Sequence, residues 1–238
     1  MPNAENYRHM PEDAVPKEVL GPSFDVINIC AKAGAGSSTL GENLKTRFEA
    51  EGYEVLLLHG GSDLRRESIA KTGEDFTGFY ERPIEKDKEI DTLTARLLIE
   101  NLHPGMIVIL DSRLGGWVSR KLQDANVQMS AKVQNILLTA RADIRYGRVY
   151  QREISKGKKA NYKAVVNDTR LRDAGDKKNF QTAYPELKGI DVLNPRNKDE
   201  NGNPIYQRVI NTSKKTAEQV TEEAYNFITK QGLVAKKE

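Results

Sequence analysis

Residues 24–30, "FDVINIC", form an apolar run rich in β-branched side chains that ends in a turn of alanine and glycine. A helix-spaced series, Leu40, Leu44 and Phe48, follows at once. This junction constrains the fold most, because an apolar run without strict alternation reads as a strand buried on both faces. The pattern then recurs. "YEVLLLH" (53–59), "MIVILDS" (106–112), "VQNILLT" (133–139) and "YQRVINT" (206–212) are further candidate strands, with helical segments between them. Ala217, Val220, Ala224, Phe227 and Ile228 mark an amphipathic C-terminal helix. Strand–helix alternation of this kind predicts an α/β fold, a doubly wound, parallel five-stranded sheet.

The pattern also divides the chain. Residues 1–22 carry four prolines and read as a surface extension, 23–230 as the core, and 231–238 as a frayed tail. Two inserts interrupt the core, at 62–105 and in the basic stretch that follows the fourth strand. Charge separates along the chain: residues 141–178 hold twelve Lys/Arg against five Asp/Glu, although the whole chain is only +3. That segment is read as serving the phosphates of the chain's own small-molecule substrate rather than nucleic acid. One cysteine, Cys30, leaves no internal disulfide framework and fits a reducing compartment. No apolar run approaches the ~20 residues that span a bilayer, and the N-terminus lacks an apolar signal core. The expectation is a cytoplasmic protein without membrane partners; oligomeric state is not legible.

The turn after the first strand has the frame of a phosphate-binding loop. Such loops read G-x-x-x-x-G-K-[ST]; this chain reads "AKAGAGSS" over residues 31–38. Ala31 replaces the first glycine and Ser37 the lysine. Gly34 and Gly36 permit φ > 0, so the amides of Ala33, Gly34, Ala35, Gly36, Ser37, Ser38 and Thr39 can converge on an anion at a helix N-terminus. Ser38 holds the hydroxyl position that binds Mg²⁺, and Thr39 backs it up. The absent lysine should cost roughly 1.5–3 kcal/mol of charge-assisted hydrogen bonding. In a transition state, one such donor is worth about 10²–10³ in rate. Lys32 either supplies the charge instead or is simply solvated.

Further along, "VILDSRLGGW" (108–117) resembles the "V-x-E-G-R-L-[SA]-G-W" signature of the cytidylate kinases, the short archaeal type especially. Other pieces follow in the family's order. "SDLRRESIA" (62–70), "EIDTLTARL" (89–97), "LLTARADIRYGRVYQRE" (137–153), "RDAGDKKNF" (172–180), "GID" (189–191) and "YQRVINTS" (206–213) are each similar to a family segment. The resemblance covers residues 24–230. It implies a P-loop nucleoside monophosphate kinase fold, with ATP and Mg²⁺ as donor and cofactor and CMP or dCMP as acceptor. It also implies lid roles for Arg148, Arg152 and Arg172, and acceptor-phosphate roles for Arg66 and Arg113. Asp63 and Asp91 either orient the nucleotide or accept a proton, or else cap a helix. The basic region 141–180 then becomes the lid, and 62–105 the monophosphate-binding insert.

Periodicity adds its own expectation. Arg141, Arg145, Arg148 and Arg152 fall on one helical face, with Ala142, Tyr146, Val149 and Tyr150 beside them to pack inward. That row is either a closing phosphate lid or a solvated basic helix. Departures from the family weaken the kinase reading: Ser37 replaces lysine, Ser112 a glycine, and Lys177 to Phe180 stand where Arg and Tyr are expected. The competing functions are a cytidylate kinase-like phosphotransferase and a nucleotide-binding or regulatory relative without turnover. His9, His59 and His103 lack metal-ligand spacing, and Trp117 is read as core.

Overall fold

In the computed structural model, residues 24–60, 104–117 and 131–233 are described. The N-terminal extension, nearly all of the 62–105 insert with Asp63, Arg66 and Asp91, and residues 234–238 lie outside them.

β1 (Phe24–Ala31) is buried along its whole length. It pairs in parallel with β3 (Ile107–Asp111) on one side and β4 (Ala131–Thr139) on the other. β2 (Val55–His59) extends the sheet beyond β3, and β5 (Arg208–Asn211) extends it beyond β4. The order is β2-β3-β1-β4-β5, all parallel. All five candidate strands are therefore strands, each within a few residues of its expected bounds.

Parallel pairing requires crossovers, which in α/β folds put helices on the faces of the sheet. On one face, Leu40, Leu44 and Phe48 of α1 (Ser37–Ala50) pack with Ile27, Ile29, Ile107 and Ile109. Each such side chain contributes about 1.5–3 kcal/mol by leaving water. The C-terminal helix α4 (Ala217–Lys230) joins them through Val220, Ala224 and Ile228. A capping box, Thr216 with Gln219, sets its start. Between β4 and β5 stand α2 (Ala142–Ser155) and α3 (Tyr162–Ala183), the latter capped by the Asn161 side chain.

The other face is built by Cys30, Leu114, Trp117, Leu137, Tyr184 and Tyr206. Trp117 is core, as expected, and its indole N–H donates to the Val192 carbonyl at 3.0 Å. Burial pushes the Cys30 thiol up to about 12, so it stays neutral and is no nucleophile.

Two buried asparagines tie this face together. Asn28 Nδ2 donates to Asn135 Oδ1 at 2.7 Å, and Asn135 Nδ2 donates to the Ile205 carbonyl at 2.9 Å and the Gly116 carbonyl at 3.3 Å. The pair locks the loop after β3 and the lead-in to β5 against β1 and β4. Asn135→Ala strips a buried amide and two carbonyls of their partner, which should cost roughly 2–4 kcal/mol. A urea midpoint unchanged from wild type would contradict this.

Candidate phosphate and metal site

All five strands run the same way, so their carboxyl ends form one edge. The chain leaves β1 toward β2 and later reaches β4 on β1's other side. The order thus reverses at β1, the switch point where open α/β sheets bind ligands. The glycine loop lies there, between Ala31 and Ser37.

Its backbone is fixed by few bonds. The Ala35 N–H donates to the Lys32 carbonyl at 3.1 Å, and the first α1 bond runs from Leu40 N–H to the Gly36 carbonyl at 3.0 Å. Gly34 and Gly36 hold φ of 81° and 103°, as the loop frame requires. Gly36 caps α1 without any side-chain capping bond. A Cβ built on Gly36 meets nothing within 4 Å, so the loop opens outward at that point. An uncapped helix start facing open space suits a phosphate.

Ser38, the second residue of α1, donates its hydroxyl to Asp111 Oδ2 at 2.8 Å. Asp111 ends β3, directly beside Ile29 of β1 in register. Hydroxyl and carboxylate are hard oxygen ligands of the kind Mg²⁺ takes, with water and substrate phosphates supplying the rest. Among the described residues, no group of three or more His, Cys, Asp or Glu is arranged to hold a metal by itself. The pair therefore fits a metal that arrives with phosphate. Sequence reading placed Ser38 here but gave Asp111 no metal role. The available signal was an aspartate closing an apolar strand.

His59, which closes β2, sits in register with Asp111. Its Nδ1 lies 3.3 Å from Asp111 Oδ2 and its Nε2 3.1 Å from Glu42 Oε1.

The arginines behind the loop differ from the expected stripe. α2 begins at Ala142, so Arg141 stands before it, paired with Asp143 at 2.7 Å. The buried side chains of α2 are Arg145 and Val149, whereas Ala142 is exposed and Tyr146 and Tyr150 are half-buried. Periodicity counted Arg145 as polar. Its charge is instead compensated inside, by the Ala33 carbonyl at 2.9 Å and Asp173 Oδ2 at 2.9 Å. Arg148 is half-buried and donates to Thr212 Oγ1 and the Thr212 carbonyl, both at 2.8 Å. Thr212 in turn donates to the Ala35 carbonyl at 2.9 Å. These two arginines clamp the loop. Arg152 is exposed and lies 3.7 Å from Glu153, away from those contacts.

Two clefts adjoin the loop. Arg148, Lys215 and Thr216 line one of them together with Gly36 and Thr39. Lys32 and Arg113 line the other, with Asp173, Asp176 and Asp191. There Lys32 sits 3.8 Å from Asp191, and Arg113 pairs with Asp176 and, at 3.7 Å, with Asp173. Arg172 lies on α3, half-buried. Of the expected cations, Arg148 thus lines one cleft and Lys32 and Arg113 the other.

No protein-family model and no curated protein sequence matches the chain. Among solved structures, an uncharacterized protein from Eubacterium ventriosum aligns with TM-score 0.48 and 13% identity over 87% of this chain and 98% of its own. The shikimate kinase of Acinetobacter baumannii, solved with shikimate, aligns with TM-score 0.44 and 14% identity over 89% and 96%. The fold is a doubly wound α/β sheet, five parallel strands in the order β2-β3-β1-β4-β5 with a glycine loop between β1 and α1. No helix among the described residues is long and apolar enough to cross a membrane.

Proposed function

We propose that the protein is a cytidylate kinase-like phosphotransferase, moving the γ-phosphoryl group of Mg-ATP to CMP, dCMP or a related nucleoside monophosphate. The observation that carries this reading is the Ser38–Asp111 pair at the mouth of an uncapped glycine loop. Phosphoryl transfer is catalysed by positioning and charge more than by covalent chemistry, and this arrangement supplies both. The amides of residues 33–39 would receive the donor phosphates. Mg²⁺ at Ser38 and Asp111 would neutralise charge on the β- and γ-oxygens. The γ-phosphorus bond to the bridging oxygen of ATP breaks, a bond to an acceptor phosphate oxygen forms, and ADP leaves.

Arg148 and Lys32 flank the loop on two sides, and Arg113 would turn from Asp176 to an acceptor phosphate. Arg152 and Arg172 belong to the same reading as lid residues, and Arg66, Asp63 and Asp91 as acceptor-side residues. ADP formation from Mg-ATP in the presence of CMP or dCMP tests it. Absence of ADP with all common monophosphates would end it.

A second reading has two observations behind it. Ser37 stands where the lysine is expected, and Arg148 is held by Thr212, so the chain is then a nucleotide-binding relative without turnover. Ser37→Lys separates the two. The added ammonium should tighten ATP binding by about 1.5–3 kcal/mol, roughly ten- to 150-fold; under this second reading it creates turnover where the wild type has none, and robust wild-type turnover would end that reading. A variant that binds ATP no better than wild type would contradict the assigned frame of the loop.

A further inference from the structure

We propose that His59 is a positioning residue for the metal-binding pair, holding the Asp111 carboxylate in one orientation. The inference rests on the functional reading above. A carboxylate turns easily about its terminal torsion, whose wells are broad. Here one oxygen, Asp111 Oδ2, is met from two sides: by the Ser38 hydroxyl at 2.8 Å and by His59 Nδ1 at 3.3 Å. Two contacts on one oxygen fix the plane of the group and set the direction of the other oxygen.

The imidazole is itself held. Parallel register places His59 beside Asp111, and Glu42 reaches its Nε2 at 3.1 Å from one turn beyond Ser38 on α1. Ser38, Asp111, His59 and Glu42 thus form a chain of contacts that starts and ends on the same helix. His59 and Asp111 are each only 16% exposed, whereas Glu42 is 61% exposed. The inner members are shielded and Glu42 closes the chain at the surface. A residue serving only as the end of an apolar strand needs no second nitrogen aimed at a carboxylate. Groups that orient a metal's ligands typically change metal affinity about 10–100-fold when removed.

The test uses Mn²⁺ as the probe, followed by electron paramagnetic resonance, on the full chain with ADP. ADP affinity without metal is measured in parallel. His59→Ala should weaken Mn²⁺ binding to the ADP complex about 10–100-fold, alter the manganese line shape, and leave metal-free ADP affinity at the wild-type value. His59→Asn, whose amide can donate from the Nδ1 position, should recover most of the loss. Glu42→Gln should show a smaller one. Unchanged Mn²⁺ affinity in His59→Ala would overturn the proposal. So would an equal loss of metal-free ADP binding, or no recovery by asparagine in a folded variant. A wild-type protein that binds ADP but takes up no Mn²⁺ would instead overturn the Ser38–Asp111 reading beneath it.

Discussion

Asp111→Asn should lower phosphoryl transfer by on the order of 10²–10³ while leaving the thermal midpoint within a few degrees of wild type. Asparagine keeps the shape of the side chain and can still accept from the Ser38 hydroxyl, now 2.8 Å away. It removes the charge that would face a metal. The loss should therefore fall in metal-dependent steps, with ADP affinity in the absence of metal little changed. Stability should hold because Asp111 ends β3 at the edge of the sheet and packs no apolar core. If Asp111→Asn turned over at the wild-type rate, the Ser38–Asp111 pair would be a surface hydrogen bond and nothing more.

Gly34→Ala should be the most damaging small substitution in the loop. A Cβ there would stand 2.4 Å from the Arg145 carbonyl oxygen and 2.9 Å from its carbon, both backbone atoms that cannot rotate aside. The φ of 81° adds left-handed strain of about 1–2 kcal/mol. Clash and strain together should cost on the order of 3 kcal/mol or more, and push α2 away from the loop. Gly36→Ala provides the control. Its Cβ meets nothing within 4 Å, so only the strain remains, yet the methyl group enters the open space where phosphate is expected. Gly36→Ala should fold and lose anion affinity, whereas Gly34→Ala should lose both. Equal stabilities for the two variants would show that α2 does not press on the loop.

How much of this was legible in the sequence depends on the range of each interaction. The strands were readable because burial on both faces leaves continuous apolar runs such as "MIVIL". The glycine loop was readable because strand, turn and helix start are contiguous. Ser38 and Asp111 are 73 residues apart, Arg145 and Ala33 are 112 apart, and Arg148 and Thr212 are 64 apart. No local pattern announces such pairs. Arg145 was misplaced for a related reason, since a periodicity count treats arginine as outward-facing and cannot see the carbonyl and carboxylate that make its burial tolerable. Lys32 was a candidate replacement for the missing lysine by spacing alone. It lies 3.8 Å from Asp191, in the cleft with Arg113.

The most direct test of the whole account is the dissociation constant of ADP for the purified protein, with and without Mg²⁺. ADP should bind saturably at one site per chain, more tightly when Mg²⁺ is present, and the Mg²⁺ effect should disappear in Asp111→Asn. No saturable binding of ADP in either condition would contradict it, because a loop that does not hold phosphate leaves Ser38, Asp111 and the surrounding arginines without a shared purpose.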